Sequence, residues 1–143
     1  MIFQGSNSRL VSQRCAMKVV IVDDSVLVQE RLTIMFAGLH GVEVVGTAQD
    51  ALEGTSVIRE LNPDVVILDI KMPVGSGIDV LRNIKESNPL IKVVILTNYP
   101  YEQYRRKCMD LGAEYFFDKS SEFERIPEVL EQFRKENSRE DGQ

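Results

Sequence analysis

Five polar residues draw attention by type and position. Asp23 and Asp24 follow Val19-Val20-Ile21-Val22, and Asp69 follows Val65-Val66-Ile67-Leu68. Thr97 follows Val93-Val94-Ile95-Leu96, and Lys119 follows Tyr115-Phe116-Phe117 and Asp118. Three carboxylates brought together repel, each raising the next one's pKa unless a cation intervenes. An all-oxygen set suits a hard divalent cation, and Mg²⁺ binds through one or two carboxylates plus phosphate while keeping several waters. A carboxylate can also attack phosphorus and form an aspartyl-phosphate. That transfer needs mainly positioning and charge neutralisation, which a metal and a lysine supply. The set points to Mg²⁺-dependent phosphoryl transfer onto a carboxylate. Each residue alone reads more readily as a turn or cap at a strand end. The whole set is different, because four of five strand ends suit one reaction.

The elements that must position these residues alternate regularly. Lys18–Val22, Val42–Gly46, Asp64–Leu68, Ile91–Leu96 and Tyr115–Phe117 are short and β-rich. Continuous apolar runs suit strands buried on both faces, as in a parallel sheet covered by helices. Between them, Val28, Leu32, Met35 and Leu39 form a helical stripe. Asp50 with Glu53 resembles a capping box opening a helix that ends before Asn62-Pro63. Ile78, Leu81 and Ile84 mark a third helix, and Tyr101–Leu111 a fourth, closed by Gly112. Ile126, Leu130 and Phe133 mark a fifth, with Pro127 confined to its first turn. Five strands alternating with five helices predict an α/β fold, a parallel sheet with helices on both faces. In such sheets ligands bind beyond the carboxyl ends of the strands, so the five polar residues converge on one edge.

Composition narrows the function classes. The chain has 143 residues, 43% of them apolar and 27% charged, which suits one soluble globular domain. The net charge of −5 argues against nucleic acid as a direct partner. No apolar run is long enough to cross a bilayer, and residues 1–16 lack the apolar core of a signal peptide, so a cytoplasmic protein without a membrane partner is expected. Cys15 and Cys108 make no disulfide framework, and the single histidine, His40, offers little to a metal cluster or triad. Gly75-Ser76-Gly77 lacks the third glycine of a dinucleotide loop and follows the wrong strand. Arg105-Arg106-Lys107 reads either as a solvated helix face or as a partner contact.

Taken in order, Val20-Ile21-Val22-Asp23-Asp24-Ser25, then Asp64 through Leu68-Asp69-Ile70-Lys71-Met72-Pro73 with Gly77, then Val94-Ile95-Leu96-Thr97, then Gly112-Ala113 through Lys119, resemble the receiver domain of two-component response regulators. The likeness spans Lys18 to Phe133 and is nearest to single-domain, chemotaxis-type regulators. It implies a flavodoxin-like, doubly wound sheet of order 2-1-3-4-5. It also implies that Asp69 is the phosphoacceptor, loaded from a phosphohistidine on a sensor histidine kinase or phosphotransfer protein. Asp24 would bind Mg²⁺ directly, Asp23 largely through water, with Asp69 and the backbone carbonyl of Lys71 completing the protein's ligands. Thr97 and Lys119 would hold the phosphoryl group, and Phe116 would act as the aromatic switch. Lys71, Asn98 and Tyr99 stand where phosphoryl lifetime is tuned. Tyr101, Tyr104 and Arg105 lie on the face that would meet a downstream effector.

Two positions depart from the family. Asn98 stands where a small residue usually follows the switch hydroxyl, and Ser120 where proline commonly follows the lysine. Because a cis bond at a non-proline site costs roughly 3 kcal/mol, a trans Lys119–Ser120 peptide is predicted. The expected function is a phosphorylation-gated switch whose affinity for a partner protein changes, and not a turnover enzyme. A pseudo-receiver that binds without phosphorylation is the alternative. A dehalogenase-type phosphatase is disfavoured because Asp69-Ile70-Lys71 lacks its second carboxylate. Residues 1–16 are expected to be a flexible extension, 17–136 the receiver domain and 137–143 a polar tail. Only 10 residues follow Phe133, so output by contact with another protein is expected.

Overall fold

The computed structural model describes residues 16–141, so residues 1–15 of the expected N-terminal extension, Cys15 among them, lie outside the described residues. Its elements are β1 (Met17–Val22), α1 (Val26–Ala37), β2 (Val42–Ala48), α2 (Ala51–Leu61) and β3 (Val65–Leu68). Then follow α3 (Gly77–Ser87), β4 (Lys92–Thr97), α4 (Glu102–Asp110), β5 (Tyr115–Asp118), a 3₁₀ turn (Phe123–Arg125) and α5 (Ile126–Asp141). The strands form one parallel sheet in the order β2-β1-β3-β4-β5. This is the flavodoxin-like arrangement that the resemblance implies.

Strand periodicity sorts the core into two layers, since successive side chains point to opposite faces. Val20, Val22, Val66, Leu68, Val93 and Ile95 meet Ile58 of α2, Leu81 and Ile84 of α3 and Cys108 of α4. Val19, Ile21, Val65, Ile67, Val94 and Leu96 meet Leu32 and Phe36 of α1 and Ile126, Leu130 and Phe133 of α5. Burying both faces explains why the strands read as unbroken apolar runs.

Local chemistry sets the helix ends. Asp50 caps α2 through the Glu53 N–H at 2.8 Å, and Glu53 Oε1 accepts from the Gln49 N–H at 2.7 Å. Asn62 ends α2 in the left-handed conformation, just before Pro63. Pro127 sits in the first turn of α5, where its missing N–H costs nothing. Two details differ from the sequence reading. The deepest side chains of α1 are Gln29, Leu32 and Phe36, with Val28 and Met35 at the margin, because Gln29 has its own bonding role described below. Helix α5 continues to Asp141, into the stretch read as a polar tail. Residues 137–141 lack apolar spacing but also lack glycine or proline, and Arg139 and Glu140 favour helix.

Candidate functional site

The carboxyl ends of β1, β3 and β5 meet at one edge of the sheet. Strands β1 and β3 are in register from Val19–Val65 to Val22–Leu68, so the residues that follow them, Asp23 and Asp69, emerge side by side. The Asp69 N–H donates to the Val22 carbonyl at 3.0 Å, and the Asp23 N–H to the Ala48 carbonyl at 2.9 Å. One oxygen from each of Asp23, Asp24 and Asp69 fits within a 4.8 Å group. Asp23 and Asp69 are buried and Asp24 is exposed. Hard oxygen donors within this spacing fit a hydrated divalent cation.

Lys119 joins this group from β5. Its Nζ lies 2.7 Å from Asp23 Oδ2 and 3.1 Å from Asp69 Oδ2. The side chain is buried, so the ammonium stays inside the carboxylate group. Burial alone would lower its pKa, but the hydrogen bond to Asp23 and the charges of Asp69 and Asp23 outweigh burial and hold it above the ordinary lysine value. Burial pushes the Asp69 carboxyl up to about 6; Lys119 opposes that rise and the Asp23 charge adds to it. The remaining oxygen of Asp69, Oδ1, accepts from the Ile70 N–H at 2.8 Å.

Second-layer groups hold these side chains still. Gln29 Nε2 donates to the Asp23 carbonyl at 2.8 Å and the Ala48 carbonyl at 3.1 Å, tying the ends of β1 and β2 to α1. Asp23 Oδ1 accepts from the Ser25 N–H at 2.9 Å, and Ser25 in turn caps α1. After Asp69 the chain turns back on itself. The Gly77 N–H donates to the Ile70 carbonyl at 2.8 Å, and a Cβ on Gly77 would lie 1.9 Å from the Asp69 carbonyl oxygen. Only glycine permits this approach. The sequence reading did not assign roles to Gln29 or Gly77. Gln29 carried a usable signal, being polar on the same helix face as Leu32 and Phe36.

The remaining expected residues fall at different depths. Thr97 is fully buried; its hydroxyl accepts from the Tyr99 N–H at 3.0 Å and its carbonyl from the Lys119 N–H at 2.9 Å. Phe116 is buried in the layer beneath α2, α3 and α4. Arg105 covers it, with the guanidinium 4.7 Å from the ring centre and Nη1 3.3 Å from the Phe116 carbonyl. Arg105 is therefore laid over Phe116, Tyr104 is half-buried against the same core layer, and Tyr101 is the exposed member of that face. Lys71 is exposed and reaches sideways: its ammonium lies 4.7 Å from the Tyr99 ring centre and 5.9 Å from that of Tyr104. The three tyrosines Tyr99, Tyr101 and Tyr104 step along in contact at 6.2 and 5.7 Å. Asn98 is exposed and has no hydrogen bond among the described residues. The Lys119–Ser120 peptide is trans, and no peptide is cis among the described residues.

Comparison with known proteins gives one consistent answer. The sequence profile of the response regulator receiver domain matches residues 19–131. The response regulator GacA of Pseudomonas aeruginosa is 36% identical over 115 residues, covering 80% of this chain and 54% of that protein. The chain thus spans about half the length of the curated relatives it matches. Among solved structures, the isolated receiver domain of RcsB from Salmonella enterica serovar Typhimurium, determined with a beryllofluoride phosphomimetic, superposes with a TM-score of 0.78 at 26% identity, covering 84% of this chain and 89% of that one. The CheX–CheY complex with beryllofluoride and magnesium from Borrelia burgdorferi matches with a TM-score of 0.69 at 32% identity, covering 80% and 89%. No helix among the described residues is long and apolar enough to cross a membrane.

Proposed function

This chain belongs to the response regulator receiver domain family, and from that premise we propose that Asp69 accepts a phosphoryl group from a phosphohistidine on a sensor kinase or phosphotransfer protein. A carboxylate oxygen of Asp69 forms the new P–O bond as the P–N bond to the imidazole breaks, and the electron pair leaves with the histidine nitrogen. The observation that carries this reading is the Lys119 ammonium seated against both Asp23 and Asp69, at 2.7 and 3.1 Å, with Asp24 in the same oxygen group. Lys119 is placed to hold a phosphoryl oxygen once Asp69 is modified. Asp24, Asp23, Asp69 and the Lys71 backbone carbonyl would hold Mg²⁺. When bound, the cation neutralises charge shared between the carboxylates and the phosphoryl oxygens.

The modification would be read out by Thr97 and Phe116. Among the described residues the Thr97 hydroxyl only accepts, from the Tyr99 N–H, so its proton is available to donate. Movement of Thr97 toward a phosphoryl oxygen withdraws that acceptor from the Tyr99 N–H and alters the aromatic row of Tyr99, Tyr101 and Tyr104. An effector that contacts Tyr101 and Tyr104 would then bind one state more tightly, which is all that a population shift requires. Lys71, Asn98 and Tyr99 border the approach to Asp69 and set how long the phosphoryl group survives. On this reading the chain is a signalling receiver that acts through partners in the cytoplasm and has no substrate of its own to turn over.

The test is Mg²⁺-dependent binding of beryllofluoride, followed by calorimetry, together with mass spectrometry after incubation with acetyl phosphate. Binding and a single phosphoryl adduct are expected, both lost in Asp69→Ala. Binding that needs no Mg²⁺, or that survives in Asp69→Ala, would favour a phosphorylation-independent interaction module. Sustained turnover of a phosphomonoester would favour a phosphatase.

A further inference from the structure

The turn that follows β5 is bonded more densely than its exposure demands. Asp118 Oδ1 accepts from both the backbone N–H of Ser120, at 2.9 Å, and its hydroxyl, at 2.8 Å. Glu122 closes the turn from the other side. Its Oε1 accepts from the Asp118 N–H at 3.0 Å, and its own N–H donates to the Asp118 carbonyl at 2.8 Å. Arg125 then anchors Glu122 at 2.8 Å and lays its guanidinium 5.0 Å from the centre of the Phe117 ring. The carboxylate, amide and carbonyl of Asp118 are thus all engaged, and the bonds enclose Lys119.

Lys119 needs such a frame. Its long side chain must keep one atom between Asp23 and Asp69, although a free lysine explores many rotamers. One backbone bond, to Thr97, is its own direct anchor. The next residue, Ser120, is an ordinary residue with a free φ and an N–H, so nothing covalent stiffens the turn. A side-chain carboxylate bonded two residues ahead is a known way to lock such a turn. We propose that Asp118 is a positioning residue of the site: by bonding Ser120 it fixes the backbone that carries Lys119, and so places the ammonium where the phosphoryl group will sit. The proposal rests on the receiver reading above for its functional consequence, but its structural half stands on these contacts alone.

Two measurements test it on the full chain. The first is beryllofluoride affinity with saturating Mg²⁺. Asp118→Ala is expected to weaken it about tenfold, the scale of the bonds removed, while Asp118→Asn, which keeps the acceptor oxygen, restores it to within about twofold. The milder Ser120→Ala, which removes only the hydroxyl bond, is expected to weaken it roughly threefold. In a Lys119→Met background Asp118→Ala should add nothing, because the partner it acts through is gone. An equal loss in that background, or no loss from Asp118→Ala, overturns the proposal. The second is the NMR order of the Lys119 side-chain methylenes in the protein without phosphomimetic. It should fall in Asp118→Ala and recover in Asp118→Asn; unchanged order in Asp118→Ala overturns the proposal. If the native chain takes up no beryllofluoride, the receiver reading fails by itself, and the Lys119 order still decides whether Asp118 positions the lysine.

Discussion

Replacing Asp69 by asparagine should make the metal-free protein more stable, although it removes the proposed phosphoacceptor. Burial pushes the Asp69 carboxyl from 3.8 up to about 6, so the folded protein binds that proton more tightly than the unfolded chain does. Above about pH 6 the ionised carboxyl therefore works against folding. Two pKa units at 1.36 kcal/mol each make that penalty about 3 kcal/mol. Asparagine removes the charge but has one carbonyl oxygen where the carboxylate has two. It cannot accept from both the Ile70 N–H and the Lys119 ammonium, and the lost bond costs about 1 kcal/mol. The net expectation is a gain of about 2 kcal/mol near pH 8. As the pH falls through about 6 toward 3.8, the native carboxyl takes up its proton and the advantage of the variant fades. Urea unfolding of both proteins in chelator, near pH 8 and near pH 4.5, measures the difference directly. An Asp69→Asn variant less stable than the native chain near pH 8, or a difference independent of pH, would refute the claim that the Asp69 carboxyl is held ionised against its burial.

Three other substitutions probe the frame, two beside the site and one at the far edge of the sheet. Gly77→Ala ordinarily helps a helix, but here the new Cβ would lie 1.9 Å from the Asp69 carbonyl oxygen, so a loss of about 3 kcal/mol in denaturant unfolding is expected, with weakened beryllofluoride binding. Gln29→Leu fits the apolar face of α1 but leaves the Asp23 and Ala48 carbonyls without their donor; a loss of about 2 kcal/mol in urea unfolding would mark Gln29 as a brace, and a neutral result would show that the carbonyls find other partners. At the opposite edge of the sheet, Lys85 Nζ donates to the Ile91 carbonyl at 2.7 Å and pairs with Glu114 at 3.1 Å, while Glu114 also accepts from the Val93 N–H at 2.7 Å. Glu114→Ala should cost about 2 kcal/mol in thermal or urea unfolding and leave Mg²⁺ and beryllofluoride affinities unchanged, since the staple lies away from the acidic group.

The sequence was most informative where periodicity and position coincide. Unbroken runs such as Val65–Leu68 and Val93–Leu96 announced strands buried on both faces, and Asn62-Pro63 and Gly112 marked helix ends that the structure places within a residue or two. Because a parallel sheet sends every strand's carboxyl end to one edge, the run of strands also brought Asp23, Asp24, Asp69, Thr97 and Lys119 to the same side without any distance being known. The strand order came from the family resemblance, since alternation alone permits several orders.

What required the tertiary structure was contact between residues distant in the chain. No pattern along the sequence says that the Lys119 ammonium rests between Asp23 and Asp69, that Arg105 folds inward over Phe116, or that Lys71 lies against Tyr99. Those outcomes depend on burial and on which neighbours compete for a charge, and both are properties of the packed chain. The same holds for Gly77, whose need for a bare Cα comes from a carbonyl eight residues away brought within reach by the loop. Residue types and their order along the chain determined the receiver family and which side chains gather at one edge of the sheet. The packing of two helical layers on one sheet decided how the charges of Asp23, Asp69 and Lys119 are held.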